Sequence, residues 1–124
     1  MRPRHRLAIL AFASAALSIG CAEGISPIDQ LAAAQGAIQK AEQAGAEKEP
    51  QGQLHLKLAH EQLDKAKNFM AADDNEEAKR LLERAEADGK VARAYALRQQ
   101  ATEEAEEAEK KLNKLLDEAE VPAK

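Results

Sequence analysis

Between Asn75 and Val121 the chain holds one glycine, Gly89, and no proline, and nearly every residue there is a good helix former. A stretch of that length without a breaker has one regular solution, a continuous helix. At 1.5 Å per residue, about 45 residues span about 68 Å. The rest of the chain must pack along part of this rod. Gly89 costs about 1 kcal/mol against alanine inside a helix, so it reads as room for a closely packed neighbour.

Two shorter helices precede the rod. The first is expected over about 27–45, with Ser26 as N-cap, Pro27 in the first turn and Asp29 completing a capping pattern. Its apolar seam is Leu31, Ala34, Ile38 and Ala41, one face at alternating three- and four-residue spacing. Gly45 is its stop signal, and Ala46–Glu49 is a connector. The second helix is expected over about 50–72. Pro50 opens it from a permitted first-turn position, and Leu56, Ala59, Leu63, Ala66 and Met70 form a heptad seam. Leu54, Leu58 and Phe69 are expected to widen that stripe. Asp73-Asp74-Asn75 is a turn, with Asp74 and Glu77 set to cap the third helix, about 75–119. Ala78, Leu81, Leu82, Ala85, Ala92, Tyr95 and Ala96 are its core positions. The fold class is therefore all-α: an antiparallel helical hairpin, or three-helix bundle, with a long C-terminal helix. The second helix reaches only about 33 Å, so the third overhangs beyond Leu97.

The first 20 residues have a different character. Arg2, Arg4 and Arg6 precede an apolar run, Leu7–Ile19, and Gly20-Cys21 follow. This is the layout of a cleaved secretory signal, and it is short of the roughly 20 apolar residues that span a bilayer. Cys21 is the only cysteine, so no disulfide framework is expected. The junction Leu17-Ser18-Ile19-Gly20-Cys21 resembles the lipobox of bacterial lipoproteins. That resemblance implies a diacylglycerol thioether on Cys21, cleavage before it, and often acylation of the new amino group. Ala22 in the following position favours the outer membrane, facing the periplasm. Ordinary secretion with a cut after Ala22 is the alternative. The organisation expected is signal 1–20, tether 21–25, helical domain 26–120 and tail 121–124.

Past the signal, 15 Lys and Arg stand against all 22 Asp and Glu, a net charge of −7. That excludes the clustered cations of a nucleic-acid-binding protein and the basic face of a membrane-surface helix. The aromatics there are Phe69 and Tyr95, and alanine is abundant. The core is therefore thin, and stability must come from helix propensity and close backbone approach as much as from burial.

Ala-Gly-Ala at 44–46, Pro50, Leu58-Ala59, Leu63 with Ala66, the acidic turn 73–75, and Ala78, Leu81-Leu82 and Ala85 occur in an order that resembles the domain-of-unknown-function family 4398. The likeness covers about Ile28 to Ala105. Members are bacterial, alanine-rich, helical and often lipoproteins, and some carry a peptidoglycan-binding domain. The resemblance implies a cell-envelope location, where an envelope protein or a peptidoglycan-associated partner is the partner expected. It implies no activity.

No catalytic constellation stands out. His55 and His60, five apart, diverge around a helix, and the His-Glu-x-x-His zinc spacing is not completed by His60-Glu61, so no metal and no cofactor other than the lipid at Cys21 are expected. Glu103, Glu104, Glu106 and Glu107 read as a solvated face, since a helix cannot wrap side chains around calcium. The overhang keeps a coiled-coil seam, Ala101, Ala105, Ala108, Leu112, Leu115 and Ala119. Leu112, Leu115 and Leu116 are its concentrated apolar patch; two readings stay open, a patch that meets an envelope partner or another copy, and a charged solvated rod that serves only as a spacer. A murein-linked spacer attached through Lys124, by analogy with the murein lipoprotein, is a further alternative. The expectation is a non-catalytic, lipid-anchored structural or interaction module.

Overall fold

The computed structural model describes residues 26–120. The signal, Cys21, the tether, the 121–124 tail and Lys124 lie outside the described residues. The described chain is all-α, with helices α1 (Ile28–Gln43), α2 (Pro50–Ala71) and α3 (Asn75–Glu120), and one 3-10 turn over Ala46–Lys48.

Local chemistry sets each boundary. α1 begins at Ile28, not at a Ser26 cap: Pro27 is the N-cap, without a side-chain cap bond. At φ −80° and ψ 55°, Pro27 sits at the centre of an inverse γ-turn. The Ile28 N–H donates to the Ser26 carbonyl at 2.8 Å, which satisfies a donor the serine hydroxyl would otherwise serve. α1 ends where Gly45 takes φ +78°, the left-handed conformation that suits glycine. α2 starts at Pro50, and its cap is Glu49, whose buried carboxylate accepts from the Gly52 N–H. Replacing Glu49 with alanine should cost about 1 kcal/mol, read as a lower melting temperature. α2 closes with a Schellman motif: Asp74 N–H donates to Phe69 O at 2.9 Å and Asp73 N–H to Met70 O at 3.1 Å. Asp73, at φ 59°, takes the place glycine usually holds there. The Asp74 carboxylate then caps α3 by accepting from the Glu77 N–H at 3.3 Å.

α3 is the central element, and α1 and α2 pack more on it than on each other. α2 runs antiparallel to α3. α1 runs parallel to it, with its start near Glu76 and Lys79, Ala37 against Gly89, and the Ala44 carbonyl accepting from Gln100. The core is Ala34, Ile38 and Ala41 from α1, Leu56, Ala59, Leu63 and Ala66 from α2, and Leu81, Leu82, Ala85, Ala92 and Ala96 from α3, joined by Ala46. Leu31 and Met70 flank it. Leu54 and Phe69 do not widen the stripe: they are 49% and 36% exposed, and at 100° per residue Leu54 lies almost opposite Leu63. The alanine seam lets α3 approach so closely that only a narrow face of α2 is covered.

Helices that close need residues without side-chain bulk at the crossings. A Cβ on Gly89 would lie 3.0 Å from the backbone of Ala37 and Ile38. A Cβ on Gly52 would lie 2.7 Å from the Ala46 carbonyl oxygen.

Candidate functional site

The bundle ends at Ala96, the last buried residue of α3, and every residue from Leu97 to Ala119 is exposed. α3 has 46 residues and α2 has 22, so about half of the longer helix projects past the bundle. The face that is buried lower down cannot continue as an apolar seam: carried on at helical spacing past Ala92 and Ala96, it reaches Gln99, Glu103, Glu106 and Lys110.

Leu112, Leu115 and Leu116 fall on the projecting half, 56%, 63% and 55% exposed. Their three- and four-residue spacing places them on one side of the helix. A second stripe emerges once the structure removes the core residues from consideration. Ala87, Val91, Ala94, Ala101, Ala105, Ala108, Leu112, Leu115 and Ala119 keep a heptad rhythm, interrupted only by Arg98, and all are exposed. α3 thus carries two apolar faces, a core face ending at Ala96 and an outer face beginning at Ala87. The upstream part of the outer face was hidden in the sequence because those residues alternate with the core set. Beside it, α1 and α3 leave an open groove of about 460 Å³ lined by Ala33, Gly36, Lys40, Arg93, Ala94 and Leu97.

A polar cluster closes the other side of α3. His55 Nδ1 lies 2.8 Å from Asp88 Oδ1, and Gln62 Nε2 donates to Asp88 Oδ2 at 2.8 Å. The His55 ring stacks on Tyr95 at 5.9 Å and 13°, and the Arg98 guanidinium lies 4.9 Å from the Tyr95 centroid. Tyr95 is therefore half-buried in a stack, not in the core. A carboxylate holding an imidazole is half of a general-base pair, but each member is occupied in pinning α2 to α3 beside Gly89. Gln62 Oε1 is buried without a partner, a cost borne by the same contact. His60 points elsewhere and meets Glu42 at 3.0 Å, so the two histidines do diverge. Among the described residues, no cluster of three or more His, Cys, Asp or Glu is placed to hold a metal ion, and no helix is long and apolar enough to cross a membrane.

Fold and surface together define a small alanine-packed helical bundle that offers half of one helix to its surroundings. The chain belongs to the family described as Domain of unknown function (DUF4398), whose model matches residues 29–108. The match runs from the first turn of α1 into the projecting half of α3. Comparison with curated proteins and with solved structures gives no match.

Proposed function

We propose that the protein is a non-catalytic lipoprotein of the bacterial cell envelope, held to a membrane through Cys21, with the projecting half of α3 as its protein-interaction surface. The observation that carries the interaction reading is the outer stripe of α3, exposed from Ala87 to Ala119 and richest in leucine at its far end. The Arg-rich start, the apolar run and the lone Cys21 support the anchor. The topology is compatible with both. Residues 26–30 lie beside Glu76 and Lys79, at the end of the bundle opposite the projecting helix. A periplasm-facing outer-membrane position is the form of this reading that Ala22 favours.

Cys21→Ser tests the anchor. The wild-type membrane fraction should give the mass of a chain beginning at Cys21 plus its acyl groups. The variant should accumulate as uncleaved precursor, because the thioether forms before cleavage. Two or more acyl chains give stable attachment where one is marginal. A Cys21→Ser protein that is cleaved and released like wild type would favour the soluble secreted module instead. A muropeptide on Lys124 in muramidase-digested envelopes would favour the murein-linked spacer.

A further inference from the structure

The charges of α3 are arranged about a centre. Starting from Gln99-Gln100 and moving toward the bundle, the helix is basic (Lys90, Arg93, Arg98), then acidic (Glu86, Asp88), then basic (Lys79, Arg80, Arg84). Moving outward from the same point, it is acidic (Glu103, Glu104, Glu106, Glu107, Glu109), then basic (Lys110, Lys111, Lys114), then acidic (Asp117, Glu118). Each block on one side has the opposite sign at the same distance on the other, with Glu83 the exception. A helix with this pattern is complementary to itself when reversed.

From Ala87 to Leu112 the apolar stripe has the same property, while Leu115 and Ala119 come level with Arg84 and Arg80. The exposed segment Leu97–Ala119 is about 34 Å long, and the bundle, measured by the 22 residues of α2, is about 33 Å. One copy's projecting half is therefore as long as another copy's bundle.

We infer that two copies pair through α3 in antiparallel fashion, with the two-fold axis near Gln99-Gln100, so that each projecting helix covers the outer stripe and the α1–α3 groove of its partner. In that register Leu112 sits opposite Ala87 of the second copy and Ala105 opposite Ala94, large on small and small on small. On the groove side of that seam Glu104 and Glu107 of one copy come beside Arg93 and Lys90 of the other, and Lys40 of α1 lines the same groove. A parallel pair is excluded by the same residues: it sets Arg98 against Arg98 inside the seam and one glutamate block against the other. The heptad stripe drifts about 20° per heptad on a straight helix, so the pair winds with a gentle left-handed twist. The inference rests on the reading of α3 as an interface but not on the lipid. If both copies carry the lipid, the two tethered ends lie about 68 Å apart, and the dimer lies along the bilayer.

The test is cross-linking of the full chain, with wild type as the control for Cys21. The double variant Ala87→Cys/Leu112→Cys, oxidised or treated with a short bis-maleimide, should give covalent dimers, and each single variant should not. Within one copy residues 87 and 112 are about 37 Å apart, so an internal link cannot form. Charge provides a second arm. Lys90→Glu/Arg93→Glu should weaken the dimer at least tenfold, and adding Glu104→Lys/Glu107→Arg should restore it. Dimers formed by the single-cysteine variants would overturn the antiparallel arrangement. A monomer throughout, by cross-linking and by sedimentation of the detergent-extracted protein, would overturn the dimer. If that monomer still recovered an envelope protein through Leu112 and Leu115, the proposed function would stand while this inference fell.

Discussion

Leu82→Asp is expected to abolish cooperative melting of the bundle. Leu82 is fully buried and, among the described residues, is the bulkiest side chain of which that is true. Its neighbours in the core are mostly alanines, which offer neither a hydrogen-bond donor nor space for water. An unpaired carboxylate there costs several kcal/mol, against a total stability of about 5–15 kcal/mol for a domain of ordinary size. Helicity alone is a poor readout, because residues 98–119 make few tertiary contacts and rest on propensity and local pairs such as Lys114–Glu118 at 3.9 Å. The measurement is the loss of a sigmoidal thermal transition while a residual helical signal persists. Leu54→Asp is the matched control: Leu54 is half exposed on the far side of α2, and its melting should stay within about 0.5 kcal/mol of wild type. If Leu82→Asp melted like wild type, the assignment of the core face of α3 would be wrong.

The helices themselves were legible because their punctuation is strong. Pro50, Gly45 and the Asp73-Asp74 turn end or begin elements at the positions expected, to within a residue or two. Side-chain surroundings are less legible than the helix ends. Ser26 looked like a cap because serine before a proline usually is one, but Pro27 turned the chain through its own γ-turn first. Leu54 and Phe69 looked like core because they are large, although their angular positions on α2 face away from α3. Glu49 reads in the sequence as the end of a connector, yet it caps α2 and is buried over the Gly52 N–H. His55, Asp88 and Tyr95 are 33 and 40 positions apart from first to second and first to third, and nothing local in the sequence says that they meet. The overhang was legible from length alone. The outer stripe is legible in the sequence from Ala101 onward, where no core residue is interleaved with it.

Alanine substitution at three helical glycines should give effects of opposite sign. A Cβ on Gly36 would meet nothing within 4 Å, so Gly36→Ala only removes the entropic cost of glycine in a helix and should stabilise by about 0.5–1 kcal/mol. Gly89→Ala gains the same helix preference, but its Cβ arrives 3.0 Å from the backbone of Ala37 and Ile38. α1 must then move off by a few tenths of an ångström, and the two effects should nearly cancel. Gly52→Ala has no such latitude. Its Cβ would lie 2.7 Å from the Ala46 carbonyl oxygen and 3.3 Å from that of Ala92. Both are backbone atoms, and one belongs to the connector that Glu49 and Gly52 together hold in place. Overpacking of that kind costs about 1–3 kcal/mol, and Gly52→Leu should cost more, since it separates α2 from the connector and from α3 together. At about 4–8 °C per kcal/mol for a domain of this size, thermal melting should rank the variants Gly36→Ala, Gly89→Ala, Gly52→Ala from most to least stable. Finding Gly52→Ala as stable as Gly36→Ala would mean that the helices do not close on backbone, and that this alanine-rich core holds together by something other than proximity.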